Sequence, residues 1–238
     1  MLQAKASAKK IVNSALSVLP RGARNSFKRY HELRYWRSVT HPIRDDRAKL
    51  EHERSHYEQF FTTFFGLTKV DYVGKRLLDI GCGPCGSLEW ADMAAKRVGI
   101  DPLAEEYKKL ANDRQKMTYC AAPSEAIPYP DGYFHCVSSF NSLDHVDDVD
   151  ATIREIKRVT APGGRVLLIV EIGHEPTPTE PHSLDESVVE KFAPEFEAIS
   201  VRTYGVRADH NLYASLLDDV PYEPGEAGIF CARLERRP

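Results

Sequence analysis

The sequence predicts an α/β protein: a mostly parallel sheet of seven strands with an antiparallel last strand, helices on both faces and a helical extension in front. Three observations lead there. Arg76 to Ile80, where Leu77, Leu78 and Ile80 can be buried, runs straight into a turn holding Gly81, Gly83 and Gly86. Short apolar strands then alternate with helical patterns, which places parallel strands side by side with crossover helices. The tail breaks the alternation, since Phe196–Tyr204 and Gly228–Leu234 both read as strands with only a loop between them.

The other strands are Arg97–Ile100, Met117–Ala121, Tyr133–Ser139 and Arg165–Glu171. Helices are expected at Ser87–Ala95, Glu105–Asn112 and Asp147–Val159. Before the sheet, a helix from Asp45 to Phe65 ends at Gly66, with Tyr57, Phe60, Phe61, Phe64 and Phe65 on or beside its core face. Residues 1–44 read as helices broken at Pro20-Arg21-Gly22. Ile11, Val12, Ala15, Leu16 and Leu19 form a short apolar stripe, suited to a membrane interface or to docking on the domain. Tyr30, Leu33, Tyr35 and Trp36 lie among basic residues, where aromatics at helical spacing serve packing more often than stacking on a ligand. The expected division is an arm with a pocket-covering helix over 1–70 and a ligand-binding domain over 71–238.

Charge is uneven along the chain. Residues 1–44 carry +9, against −3 for the whole, which leaves −12 for the rest. An arm of this kind can meet an anionic surface or polyanion, or pack on its own acidic domain. No apolar run approaches the ~18 residues of a membrane span. Lys5, Lys9 and Lys10 before IVNSALSVL imitate a secretion signal, but Asn13, Ser14 and Ser17 interrupt the run, so the expected compartment is the cytoplasm. Five cysteines without regular spacing make no disulfide framework. Cys82 and Cys85 have a metal or redox spacing, and His52 and His56 are one helical turn apart, yet neither pair has further ligands near it, so no metal is expected.

Gly81-x-Gly83-x-x-Gly86 with Asp101 about 20 residues on also fits a dinucleotide fingerprint, which would make the chain an NAD-dependent oxidoreductase. Asp79 argues against that reading, because a nicotinamide-binding turn keeps an apolar or small residue there. DIGCGPCG followed by GIDP instead resembles the first two motifs of the class I S-adenosylmethionine-dependent methyltransferases, of the type-11 kind. APSEAIPYPDGYF is similar to a family segment written GDAEALPFPDNSFD, SSFNSLDHVDD carries the family's "HV-D" histidine, and Ala161-Pro162-Gly163-Gly164 matches its tight turn before the fifth strand. The resemblance covers residues 70–238 nearly end to end and implies a Rossmann-like sheet.

It also implies a set of cofactor contacts. Asp79, Gly81, Cys82 and Gly83 would meet the amino-acid end of S-adenosylmethionine. Asp101, followed by Pro102, would accept both ribose hydroxyls, since a carboxylate offers two oxygens to two donors; it can equally cap the next helix. Ser124 and Glu125 would lie at the adenine, although Pro123 replaces the usual acidic residue and His135 the usual Asp. Phe140 and Asn141 would touch the cofactor through backbone atoms, and the leading helix would bring Tyr57 near it.

For catalysis the family position falls on His145, with Asp144 or Asp147 to orient it; a histidine there can also simply support the turn. The loop Glu171–Leu184 offers His174, Glu175, Glu180 and His182 as a substrate wall, with His182 a second candidate base. The implied activity is methyl transfer to a hydroxyl or amine of a small molecule or glycan, surface polysaccharide or secondary metabolites included, releasing S-adenosylhomocysteine. The rival is a methyltransferase-like domain that binds and does not catalyse.

Overall fold

A computed structural model describes residues 21–42, 45–110, 115–177 and 179–238. The apolar stripe between Ile11 and Leu19 lies outside these residues. Seven strands form one sheet: β1 (Arg76–Ile80), β2 (Lys96–Ile100), β3 (Thr118–Cys120), β4 (Phe134–Phe140), β5 (Thr160–Ile172), β6 (Phe196–Gly205) and β7 (Gly228–Arg236). Their order is β3-β2-β1-β4-β5-β7-β6. The first five pair in parallel, and β7 inserts antiparallel between β5 and β6. This is the Rossmann-like sheet with an antiparallel last strand.

The central strands are buried on both faces, which is why they read as unbroken apolar runs. Successive side chains point to opposite faces. Leu77, Leu167 and Ile169 therefore join a core with Phe60, Phe61, Phe65, Tyr72 and Trp90, whereas Leu78, Val166, Leu168 and Val170 join one with Ile153 and Ile156.

The helices are α1 (Arg21–Thr40), α2 (Arg47–Phe61), α3 (Ala104–Leu110), α4 (Val149–Val159) and α5 (Leu212–Leu217). Asp46 caps α2, Asp148 caps α4 and Asn211 caps α5, each accepting N–H bonds of the first turn. The helix expected to run to Phe65 stops at Phe61. A 3-10 turn, Thr63–Phe65, follows and closes on Gly66 at φ +66°. The stretch between β6 and β7 is more than a loop, since it holds α5.

One expected helix is absent. Residues 87–95 form consecutive tight turns, with Ala91 N–H bonded to Leu88 and Ala94 N–H to Ala91, each at 3.1 Å. The cause is local competition for backbone groups. Arg97 donates to the carbonyls of Leu88 and Glu89, and the Glu89 carboxylate takes the N–H groups of Lys116 and Met117. Leu88 and Ala91 are buried at a helix-like spacing without a helix to carry them.

Candidate active site

The site is built at the carboxyl ends of β1, β2, β4 and β5, where open α/β sheets place ligands. Gly81, Gly83 and Gly86 have φ of +72°, +55° and +83°, a region L side chains rarely adopt. The space beside two of them is filled by protein. A Cβ on Gly81 would collide with the Ser142 side chain, and one on Gly83 would stand 3.0 Å from the Trp36 ring. Ser142 in turn donates to the carbonyl of Ile80 at 2.8 Å, tying the two strand ends together.

Asp79 is buried and staples the turn to the sheet: Ser87 donates to one oxygen, and Ser138 of β4 to the other at 2.6 Å. Burial raises its carboxyl to about 6, against the pull of the two hydroxyls. Cys82 is buried with Sγ against Gly99, and burial pushes its thiol well up. Asp101 accepts the Leu103 N–H at 2.7 Å through Oδ1, so it does cap the next turn. Its carboxyl is raised to about 7, chiefly by burial and then by Glu32 nearby. Pro102 behind it is exposed.

Ser124 and Glu125 are engaged within the fold. Ser124 shares a hydrogen bond with Thr152, and Glu125 Oε1 accepts the N–H groups of Asp147 and Asp148. Phe140 packs on Phe61 with ring centroids 4.7 Å apart. Asn141 turns off β4 at φ +50°, and its Oδ1 is buried without a partner.

Helix α1 lies across these elements, a placement no local pattern announces. Trp36 faces Tyr107 as well as Gly83, Glu32 accepts the Tyr107 hydroxyl at 2.7 Å, and Arg29 pairs with Glu106 at 2.8 Å. Lys28 reaches the carbonyl of His145 and stands 3.7 Å from Asp147. The helix thus spans from α3 to the turn after β4. Tyr57 meets Tyr213 of α5, edge to face at 5.8 Å.

At the other end, Asp144 is 1 % exposed. Its Oδ2 lies 3.7 Å from Nε2 of His145 and 3.6 Å from Nε2 of His174, and its Oδ1 has no partner. His182 bonds the Val146 carbonyl through Nε2 at 2.9 Å, so that nitrogen holds the loop to the turn. His174, singled out only as part of the loop, is the residue that reaches the acid.

These residues fit a nucleoside with an amino-acid end. A left-handed glycine turn, a buried carboxylate with one oxygen left over and the orphaned Asn141 carbonyl oxygen converge where the fold class binds its ligand.

Known proteins resemble the chain in sequence and in fold. Residues 78–168 match the family model described as methyltransferase domain. The chain is 27 % identical over 114 residues to ajmaline N-methyltransferase of Rauvolfia serpentina, covering 44 % of this chain and 39 % of that one. It is 36 % identical over 89 residues to the ubiquinone/menaquinone biosynthesis C-methyltransferase of Hahella chejuensis, covering 37 % and 34 %. The chain therefore spans well under half the length of these curated relatives. A solved S-adenosylmethionine-dependent methyltransferase from Mesorhizobium loti superposes with a TM-score of 0.53 at 19 % identity, over 70 % of this chain and 93 % of that one. The N-methyltransferase NodS of Bradyrhizobium japonicum gives 0.54 at 14 %, over 82 % and 99 %. At such identities the structures speak for the fold, and the sequence match speaks for the domain over residues 78–168. Residues 78–168 thus carry a methyltransferase domain of the type-11 kind, and over this part the chain is homologous to known methyltransferases.

Proposed function

We propose that the protein transfers the methyl group of S-adenosylmethionine to a hydroxyl or amine of a small molecule or glycan. The observation that carries this reading is the pairing of the β1 glycine turn with Asp101 at one end of the cleft and an acid–histidine group at the other. S-adenosylmethionine supplies a methyl already activated on a sulfonium, so the chain's task is mainly to align donor and acceptor. Alignment of that kind is worth ~7–11 kcal/mol in favourable cases.

In this reading Asp101 accepts the ribose hydroxyls through the oxygen that Leu103 leaves over, and Asn141 offers its orphaned oxygen. Asp79 acts through the backbone, holding the turn in shape by its bonds to Ser87 and Ser138. The Trp36 face of α1 covers the turn and excludes water. His145, 32 % exposed beside the buried Asp144, is the better placed base for an acceptor proton, because the Nε2 of His182 is committed to Val146. A base contributes ~10²–10⁴-fold for a hydroxyl acceptor and little for one already nucleophilic.

The relatives' names cover N-, O- and C-methylation, so the matched domain does not by itself fix the acceptor chemistry. A contact of the arm with a polyanion fits the outer face of α1, where Arg34 and Arg37 are exposed beside Tyr30 and Tyr35, each 60 % exposed.

Calorimetric titration with S-adenosylhomocysteine, run beside NAD, tests the donor. Wild type should bind the first and not the second, and Asp101→Ala should lose ~1.5–3 kcal/mol of affinity. Binding of NAD alone would overturn the proposal.

A further inference from the structure

We propose that His174 is a positioning residue of this site: as an imidazolium it holds the buried Asp144 carboxylate in place beside His145. The proposal rests on the reading above only in taking His145 to face the acceptor.

The two ring nitrogens of His174 face different partners. Nδ1 lies 3.1 Å from the Glu175 carbonyl oxygen, which can only accept, so this nitrogen carries a proton. Nε2 is buried, has no hydrogen-bond partner and faces Asp144 Oδ2 at 3.6 Å. A neutral ring with its proton on Nδ1 would turn a lone pair toward a carboxylate. Between imidazole and carboxyl, the imidazole is the more basic by more than two pH units, so a proton held between them resides on Nε2. Both nitrogens are then donors, and the ring is a cation.

The surroundings favour the same charge. Glu180 from the loop and Glu171 from β5 act on His174 or on its partner acid, and His145 shares the Asp144 oxygen. The facing Asp144 carboxylate is the largest influence on His174 and outweighs burial, raising it to about 9. Glu171 is pushed up by burial, then by Asp144 and Glu180. Lys28, the nearest lysine contact of the turn, is spent on the His145 carbonyl and Asp147. Without His174, Asp144 would be a buried carboxylate among carboxylates, which is costly.

The backbone brings His174 to this place. Gly173 turns at φ +70°, its N–H bonds the carbonyl of Leu184 at 2.9 Å, and a Cβ on it would stand 2.7 Å from the Glu226 carbonyl oxygen. The two ends of the loop are thus pinned together, and the residue after the glycine is aimed back at the turn following β4.

The test is a histidine NMR titration of the full-length protein from pH 5 to 10, with His174 assigned by the signal missing in His174→Gln. In wild type this signal should titrate above pH 8, and in Asp144→Asn its midpoint should fall by more than one pH unit. At pH 7, His174→Gln should displace the ring signals of His145, while His174→Arg, which keeps the cation, should leave them in place. A wild-type midpoint near 6.5, or no drop in Asp144→Asn, overturns the proposal; His174→Arg gives the same assignment if His174→Gln does not fold, and the wild-type titration decides if Asp144→Asn does not. S-adenosylhomocysteine calorimetry on the same samples separates the two readings. Binding with an ordinary His174 midpoint defeats only this one, and a high midpoint without binding defeats only the methyltransferase reading.

Discussion

The two ends of the cleft are built differently. At the β1 end, position is fixed by left-handed glycines, a side-chain staple from Asp79 to two serines and a cap from Asp101 to the Leu103 N–H. At the β4–β5 end, Asp144, His145, His174 and His182 come from a short turn and a proline-rich loop, joined to each other through side chains. A donor common to a whole family can be met by backbone shape. An acceptor that differs among relatives is met by side chains on loops, which can change without disturbing the sheet.

The sharpest way to break this comparison is Gly81→Ala. The new side chain would sit at φ +72° and against Ser142. Strain in that region costs ~1–3 kcal/mol, and overpacking adds a similar amount. Urea denaturation should show a loss of about 2–5 kcal/mol, a large part of a typical domain's stability, with S-adenosylhomocysteine binding lost as well. A loss under about 1 kcal/mol would mean that the backbone does not fix this end.

The next effect is on pH. Ribose hydroxyls donate, so Asp101 must be ionised to accept both. Its carboxyl is raised to about 7 by burial and by Glu32, so it becomes protonated as pH falls through that value. Affinity for S-adenosylhomocysteine should therefore weaken as pH falls below about 7, by at most ~10-fold per pH unit from this one group, and be flat above it. Glu32→Gln removes the neighbouring negative charge and should move the transition to lower pH. An affinity independent of pH between 5 and 8 would contradict the role given to Asp101.

The same division explains what could be read in the sequence. The strands were legible because Leu77–Ile80 and Val166–Val170 are buried on both faces and stand out as apolar runs. The glycine turn and Asp101 were legible because they are contiguous motifs. The reason for two of the glycines was not, since Ser142 and Trp36 come from other parts of the chain. Residues 87–95 imitate a helix by the spacing of Leu88 and Ala91, and nothing local shows that Arg97 takes the carbonyls of Leu88 and Glu89. Helix α5 is six residues long, too short for periodicity to register. His174 looked like one polar residue among several in its loop, because the carboxylate that gives it meaning sits after another strand.

The smallest effect separates the two histidines first taken as candidate bases. His182 makes a 2.9 Å hydrogen bond to the Val146 carbonyl and links the loop to the turn, so it has structural work in the resting protein. His145 is partly exposed and stands 3.7 Å from Asp144, beyond hydrogen-bond length. Replacing His182 by Ala should cost ~0.5–1.5 kcal/mol in urea denaturation, the net worth of one such bond. Replacing His145 by Ala should stay within about 0.5 kcal/mol, as partly exposed substitutions without a lost partner do. The opposite order would place the structural role on His145 and leave His182 as the residue free to meet an acceptor. The loop, not the turn after β4, would then carry the base.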